Sequence, residues 1–184
     1  TISCCRKQVG DFGEMVDVVE QCRAVTIAAI QGGVYGGATD LALACDFRVG
    51  SMAADMFMPA ARLGLHFYAS GLERYVSRLG LDTAKRLFLT CESLDAEQMK
   101  ACGFLTHLVA QTQLDETVAS LAGTLAAMAP MPLFGMKKHL NLIASGRHDP
   151  EAIACDVQRS VESEDLREGG LAWREKRVPV FNGC

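Results

Sequence analysis

An α/β fold, with strands and helices alternating ahead of a wholly helical final third, follows from three features of the sequence. Apolar β-branched runs alternate with 3.6-residue periodicity as far as residue 112, a glycine-dense turn joins a strand to a helix within residues 24–46, and strand signals cease from residue 113 onward. With 184 residues, 49% of them hydrophobic, the chain can bury the core of one domain carrying a helical appendage.

Met15, Val18, Val19 and Cys22 recur at helical spacing and predict an amphipathic helix over residues 11–22. Residues 25–30 read as a buried strand, Gly32, Gly33, Gly36 and Gly37 as the turn after it, and residues 38–44 as the next helix. Residues 47–50 and 56–58 are short strands, the second ended by Pro59. Beyond a turn at Gly64, Leu72, Val76 and Leu79 mark one face of a helix, and Asp82 caps another that runs to Leu89. Asp95 and Gln98 have capping-box spacing, and Gly103 supplies a left-handed stop before a strand over 105–110. In the final third, Leu114, Val118, Leu121 and Leu125 share a face, and a second helix covers 133–145. Asp149-Pro150 places an N-cap before a proline at N1, Ile153, Val157 and Val161 continue at i+4 spacing, and 168–176 adds a short helix. These helices need a surface to cover, on their own core or on a neighbour, which predicts an oligomer.

The balance of 18 basic and 22 acidic residues, with no dense Lys/Arg block, argues against a nucleic-acid partner. Eight cysteines (Cys4, Cys5, Cys22, Cys45, Cys91, Cys102, Cys155 and Cys184) show neither C-x-x-C pairing nor metal spacing. They read as buried or incidental thiols of a reducing compartment, cytoplasmic or mitochondrial matrix. His107, His139 and His148 form no metal-ligand pair, so no metal is predicted. The opening residues lack the apolar core of a secretory signal, and the uncharged run 117–136 contains Pro130 and Pro132, as expected of a core helix ending at Ala129 rather than a membrane span. The absence of an initiator Met suggests that material precedes Thr1.

The glycine turn carries the chemistry. A helix that opens directly out of Gly36-Gly37 presents backbone N–H groups where negative charge developing on a substrate oxygen could be held. Asp40, three residues beyond Gly37, lies within about one helical turn and can carry a proton.

Several blocks occur in a telling order. They are Val25 to Gly32, then Gly36-Gly37-Ala38-Thr39-Asp40-Leu41-Ala42-Leu43-Ala44-Cys45-Asp46-Phe47-Arg48, then residues 57–65 with Pro59 and Leu63-Gly64, Leu94-Asp95-Ala96-Glu97 with Cys102-Gly103, and residues 164–169 ahead of Glu175-Lys176-Arg177. Together they resemble the crotonase superfamily, the enoyl-CoA hydratase/isomerase family, over its C-terminal two-thirds. The resemblance implies a crotonase-like (ClpP/crotonase) β/α spiral core in residues 1–112 and a C-terminal helical trimerisation region in 113–184. It implies an acyl-CoA thioester substrate, with coenzyme A as part of that substrate, no permanently bound cofactor, and a homotrimer or dimer of trimers with no membrane or nucleic-acid partner.

In that family a thioester enolate is held by two backbone donors. By alignment one is the amide of Gly37, where the missing Cβ lets a ligand approach closely. The second donor and the adenine loop belong to the family's N-terminal third. Typical hydratases place a glutamate at the position of Asp40 and another just after the proline equivalent to Pro59. Here these are Asp40 and Ala60, so hydration with two glutamates is not expected, and double-bond isomerisation by one base, or a related enolate reaction, is. The segment 65–71 replaces a glycine-rich turn that lines the acyl pocket, making His66 and Tyr68 candidate proton carriers beside Asp40. Gly36, Ala60, Leu65 and Lys176 are the expected substrate-binding positions, Lys176 towards the CoA phosphates. Two other readings stay open: a catalytically silent member that binds acyl-CoA or serves assembly, and a thioester hydrolase or decarboxylase built on the His66–Tyr68 region.

Overall fold

The structure, a computed structural model, describes residues 10–184, which form two compact units. One holds the residues up to Cys22 together with Thr26–Val118, the other Arg23–Val25 together with Ala119–Cys184. Cys4 and Cys5 fall outside the described residues.

In the first unit, β1 (Ile27–Ile30), β3 (Phe47–Ser51) and β6 (His107–Val109) form a parallel sheet in the order β1-β3-β6. Its register is locked at one end by Thr26 and Asp46. The Asp46 carboxylate accepts from the Thr26 amide at 2.7 Å and its hydroxyl at 3.0 Å, while the Asp46 amide donates to that hydroxyl at 3.1 Å. A second sheet, β2 (Gly33–Tyr35), β4 (Asp55–Phe57) and β5 (Ser93–Asp95), is mixed, with β2 parallel and β5 antiparallel to the central β4. The stretch expected to be one glycine turn therefore contains a strand. The reason is local: Gly33 has no side chain, so the Tyr35 ring leans back over it and its hydroxyl donates to Asp55, the cross-strand partner of Gly33, at 2.9 and 3.1 Å.

Leu43, Met56, Tyr75, Leu94, Met99 and Phe104 fill the core between these sheets and their helices. α1 (Gly10–Glu20), α2 (Gly37–Ala44) and α3 (Ala69–Leu79) pack on one another. Hydrophobic periodicity misjudged the inner faces of two of them. Met15 and Val18 of α1 are exposed, and the side turned inward carries Gly13 and Val16, with Asp17 and Glu20 beside them. In α3, Val76 is exposed while Arg74 and Tyr75 are buried. Both helices turn charged side chains inward because each charge there finds an opposite one, which makes burial tolerable.

After α3, Gly80 rather than Asp82 stands at the N-cap of α4 (Leu81–Lys85), and a π-helical turn, Arg86–Thr90, follows. The Asp95–Gln98 capping box forms as expected ahead of α5 (Ala96–Ala101), and Gly103 follows at φ 84°.

The second unit contains most of α6 (Leu114–Ala126), with α7 (Pro130–Ala144), α8 (Pro150–Glu162) and α9 (Glu164–Glu175). α6 stops before Ala129, and that residue caps α7 instead. Asp149 accepts from the amides of Glu151 and Ala152, so the Asp-Pro start of α8 is a true N-cap. α9 begins four residues earlier than its apolar pattern suggests, because the Ser163 hydroxyl accepts from the Leu166 amide and fixes the start there. Among the described residues no single helix is long and apolar enough to cross a membrane. Of the six cysteines described, all are free, and Cys91 is buried while Cys22, Cys155 and Cys184 are exposed.

Candidate active site

α2 starts at Gly37 because Gly36 adopts φ 57°, a left-handed value that a side chain would strain. The Gly36 amide donates to Phe57 O at 2.9 Å, and its carbonyl accepts from the Thr39 amide at 3.0 Å and the Thr39 hydroxyl at 2.5 Å. The Gly37 N–H stands ahead of the helical ladder and has no acceptor among the described residues. Beside it, Phe12 of α1 covers the Cα, for a Cβ on Gly37 would lie 2.6 Å from Phe12 Cζ.

Asp40, in the first turn of α2, is completely buried. Its Oδ2 accepts from Arg74 Nη1 at 2.6 Å and from the Tyr68 hydroxyl, while Oδ1 has no hydrogen-bond partner among the described residues. Arg74 continues the network through Nη2 to Asp17 at 2.6 Å and to Glu20 at 3.2 Å, and Arg78 reaches the other Glu20 oxygen at 3.1 Å. Burial opposes the Arg74 charge, but the hydrogen bonds it donates to Glu20 and Asp40 outweigh it, so this guanidinium is held more firmly protonated than a free one. Burial, and then the hydrogen bond to Asp40, push the Tyr68 phenol well above its ordinary value. Tyr68 therefore stays protonated and acts as a donor to Asp40.

The remaining predicted positions are dispersed. His66 is exposed; its Nδ1–H donates to Phe67 O at 2.7 Å, which leaves Nε2 as the acceptor of the neutral ring. No hydrogen bond or ion pair joins it to Asp40 among the described residues. Ala60 is buried at the start of a 3-10 turn, Ala61–Leu63, and its carbonyl accepts from the amide of the exposed Leu65 at 2.9 Å. Lys176 lies in the second unit, exposed, at φ 54° at the end of α9.

The sequence reading missed Asp17, Glu20, Thr39, Arg74 and Tyr75. A usable signal was present: Gly71, Arg74 and Tyr75 stand at i, i+3 and i+4, so an arginine shares a helix face with residues destined for the core. Asp46 and Arg48 of the same motif hold the fold. Arg48 donates to Phe104 O and, at 2.7 Å, to Cys45 O; burial and then the nearby Arg78 push its guanidinium down to about 10.

Residues 7–184 match the family model described as Enoyl-CoA hydratase/isomerase. The chain belongs to the enoyl-CoA hydratase/isomerase family. It is 31% identical over 179 residues to the enoyl-CoA isomerase/hydratase fer4 of Mycosarcoma maydis, spanning 94% of this chain and 64% of that protein. It is 32% identical over 184 residues to the mitochondrial methylglutaconyl-CoA hydratase of Mus musculus, spanning 95% and 58%. Among solved structures it superposes on an enoyl-CoA hydratase/carnithine racemase from Magnetospirillum magneticum with a TM-score of 0.88 at 27% identity, covering 94% of this chain and 64% of that one. An enoyl-CoA hydratase from Bacillus anthracis gives 0.85 at 27%, covering 94% and 68%. The fold is thus that of the crotonase superfamily, as the motif order implied. This family member spans about 58–64% of the length of the two curated relatives named.

Proposed function

We propose that this chain acts on an acyl-CoA thioester by way of an enolate, and that it moves a double bond rather than hydrating one. The observation that carries the reading is Asp40: a buried carboxylate with one oxygen held by Arg74 and Tyr68, the other without a partner among the described residues, and Ala60 where typical hydratases have a second carboxylate. In this reading Asp40 Oδ1 takes the proton from the α carbon of a β,γ-enoyl thioester. The electron pair passes into the carbonyl, whose oxygen is held at the Gly37 N–H. The proton then returns at the γ carbon, leaving the double bond α,β. Arg74 and Tyr68 touch no reacting atom; they are positioning residues that fix which oxygen of Asp40 faces the substrate.

Coenzyme A enters only as part of the substrate, with Gly36, Ala60, Leu65 and Lys176 at its binding positions and no resident cofactor. His66, with an exposed ring and an accepting Nε2, is the residue a hydrolase or decarboxylase would use. The division at 112/113 and the trimeric or doubly trimeric state are part of the proposal, as is a cytoplasmic or matrix location. Exposed Met136, Leu140 and Ile143 on α7 and Trp173 on α9 support a covered helical face in the assembled protein.

Asp40→Asn tests the reading. Loss of a general base lowers turnover of a β,γ-enoyl-CoA by about 10²–10⁴-fold, while the affinity for CoA thioester measured by calorimetry is retained. A second reading rests on the same ion pair: an Asp40 committed to Arg74 and Tyr68 serves the fold, and the chain binds acyl-CoA without turnover. Wild-type binding with no turnover of enoyl-CoA isomers would select it.

A further inference from the structure

The Gly36–Gly37 peptide is planar and trans, so its N–H points opposite to its C=O. Whatever fixes the Gly36 carbonyl therefore aims the Gly37 amide. That carbonyl is gripped from one side by the Thr39 amide at 3.0 Å and the Thr39 hydroxyl at 2.5 Å. The Thr39 hydroxyl also bonds the Tyr75 hydroxyl, and both residues are completely buried. The direction of this chain follows from valence. A carbonyl only accepts, so the single hydroxyl hydrogen of Thr39 goes to Gly36 O, and Tyr75 must donate to Thr39 Oγ1. Burial drives the Tyr75 phenol well above its ordinary value, which keeps its hydrogen in place. The Gly36 amide is likewise committed, to Phe57 O at 2.9 Å, so the glycine preceding the proposed donor is held through both of its polar groups.

We propose that Tyr75 and Thr39 form a buried hydroxyl relay whose task is to orient the Gly36–Gly37 peptide so that the Gly37 N–H faces a thioester oxygen. Both are positioning residues that touch no reacting atom. The relay resists rotation of a peptide flanked by two glycines, which is otherwise among the most freely turning links in a chain. Such rigidity matters because a donor stabilises a developing oxyanion only when it is aimed before the charge appears. The inference rests on the acyl-CoA reading above and deepens it.

The test compares wild type with Thr39→Val, Thr39→Ser and Tyr75→Phe. Butyryl-CoA labelled at its thioester carbonyl is bound to each, and the infrared carbonyl band is compared with that of the free ligand. Circular dichroism melts confirm folding. A donor aimed at the oxygen displaces the wild-type band to lower frequency. Thr39→Ser retains the displacement; Thr39→Val and Tyr75→Phe lose most of it. In turnover, Thr39→Val lowers kcat by about 10²-fold with KM within about threefold, the pattern of a misaligned donor rather than a lost contact. A full displacement in folded Thr39→Val overturns the relay, as does a full displacement in Tyr75→Phe should the valine variant not fold. A wild-type band with no displacement overturns the acyl-CoA reading itself, and the relay with it.

Discussion

Arg74→Met removes the guanidinium facing Asp17, Glu20 and Asp40 while keeping much of the side-chain length. The three ion pairs are unequal. Asp17 and Glu20 have side chains 33% and 22% exposed, so water takes over much of what Arg74 gives them, and each pair is worth at most about 1 kcal/mol. Asp40 is 0% exposed and lies 2.6 Å from Arg74 Nη1, so among the described residues the Tyr68 hydroxyl is the one partner left to it. Stranding a buried charge in this way costs about 3–5 kcal/mol, a large share of a stability that is typically about 5–15 kcal/mol. Asp40→Asn is milder, because Arg74 retains Asp17 and Glu20. The assay is urea unfolding followed by circular dichroism, taken at constant denaturant slope. Arg74→Met is expected to lose about 3–5 kcal/mol, and the double variant Asp40→Asn/Arg74→Met about 1–2 kcal/mol less than the sum of the singles, since the uncompensated charge is gone. A loss below about 1 kcal/mol, or additivity within about 0.5 kcal/mol, would refute the buried ion pair as the element joining α2 to α3.

Gly37→Ala places a methyl 2.6 Å from Cζ at the tip of the exposed Phe12 ring, which can swing outward, so the loss in denaturant melts is expected to stay below about 1 kcal/mol; a loss of about 3 kcal/mol or more that Phe12→Ala relieves would show that the ring is held rigidly on Gly37. Hydrogen bonds from Lys138 and then His139 hold the Asp156 carboxyl down to about 2, below its ordinary 3.8. Its contribution is complete above that ordinary value and is lost as pH falls from about 4 towards about 2. Asp156→Asn should therefore melt below wild type at neutral pH and converge on it as pH falls through about 2; a gap as wide there as at neutral pH would contradict the pairing. All three tyrosines are raised, Tyr35 first by its bond to Asp55, Tyr68 and Tyr75 first by burial. Their stabilising effect is full below the unfolded value of about 10 and is lost as pH climbs through the raised values. Phenolate absorbance in the native chain should lag behind that of the urea-unfolded chain on an alkaline titration, and coincident curves would sink the assignment.

The sequence by itself determined the fold class, the starts of several helices and the family. These are written in local chemistry: the Asp95–Gln98 box, the Asp149-Pro150 cap, and glycines that only certain turns require. Gly36-Gly37 and Asp40 were legible for the same reason, since a strand, a glycine pair and a carboxylate within one helical turn need no distant partner to be recognised. What escaped it depends on contacts across the chain. Hydrophobic spacing put Met15 and Val18 inward, yet α1 turns Asp17 and Glu20 to Arg74, a residue more than fifty positions away. Only the tertiary structure could decide that Oδ2 of Asp40 is occupied and that Oδ1 has no partner among the described residues, or that Tyr75 donates to Thr39. A charge or hydroxyl is allowed inside only where its partner already stands, and sequence spacing along one helix carries no information about the helix packed against it.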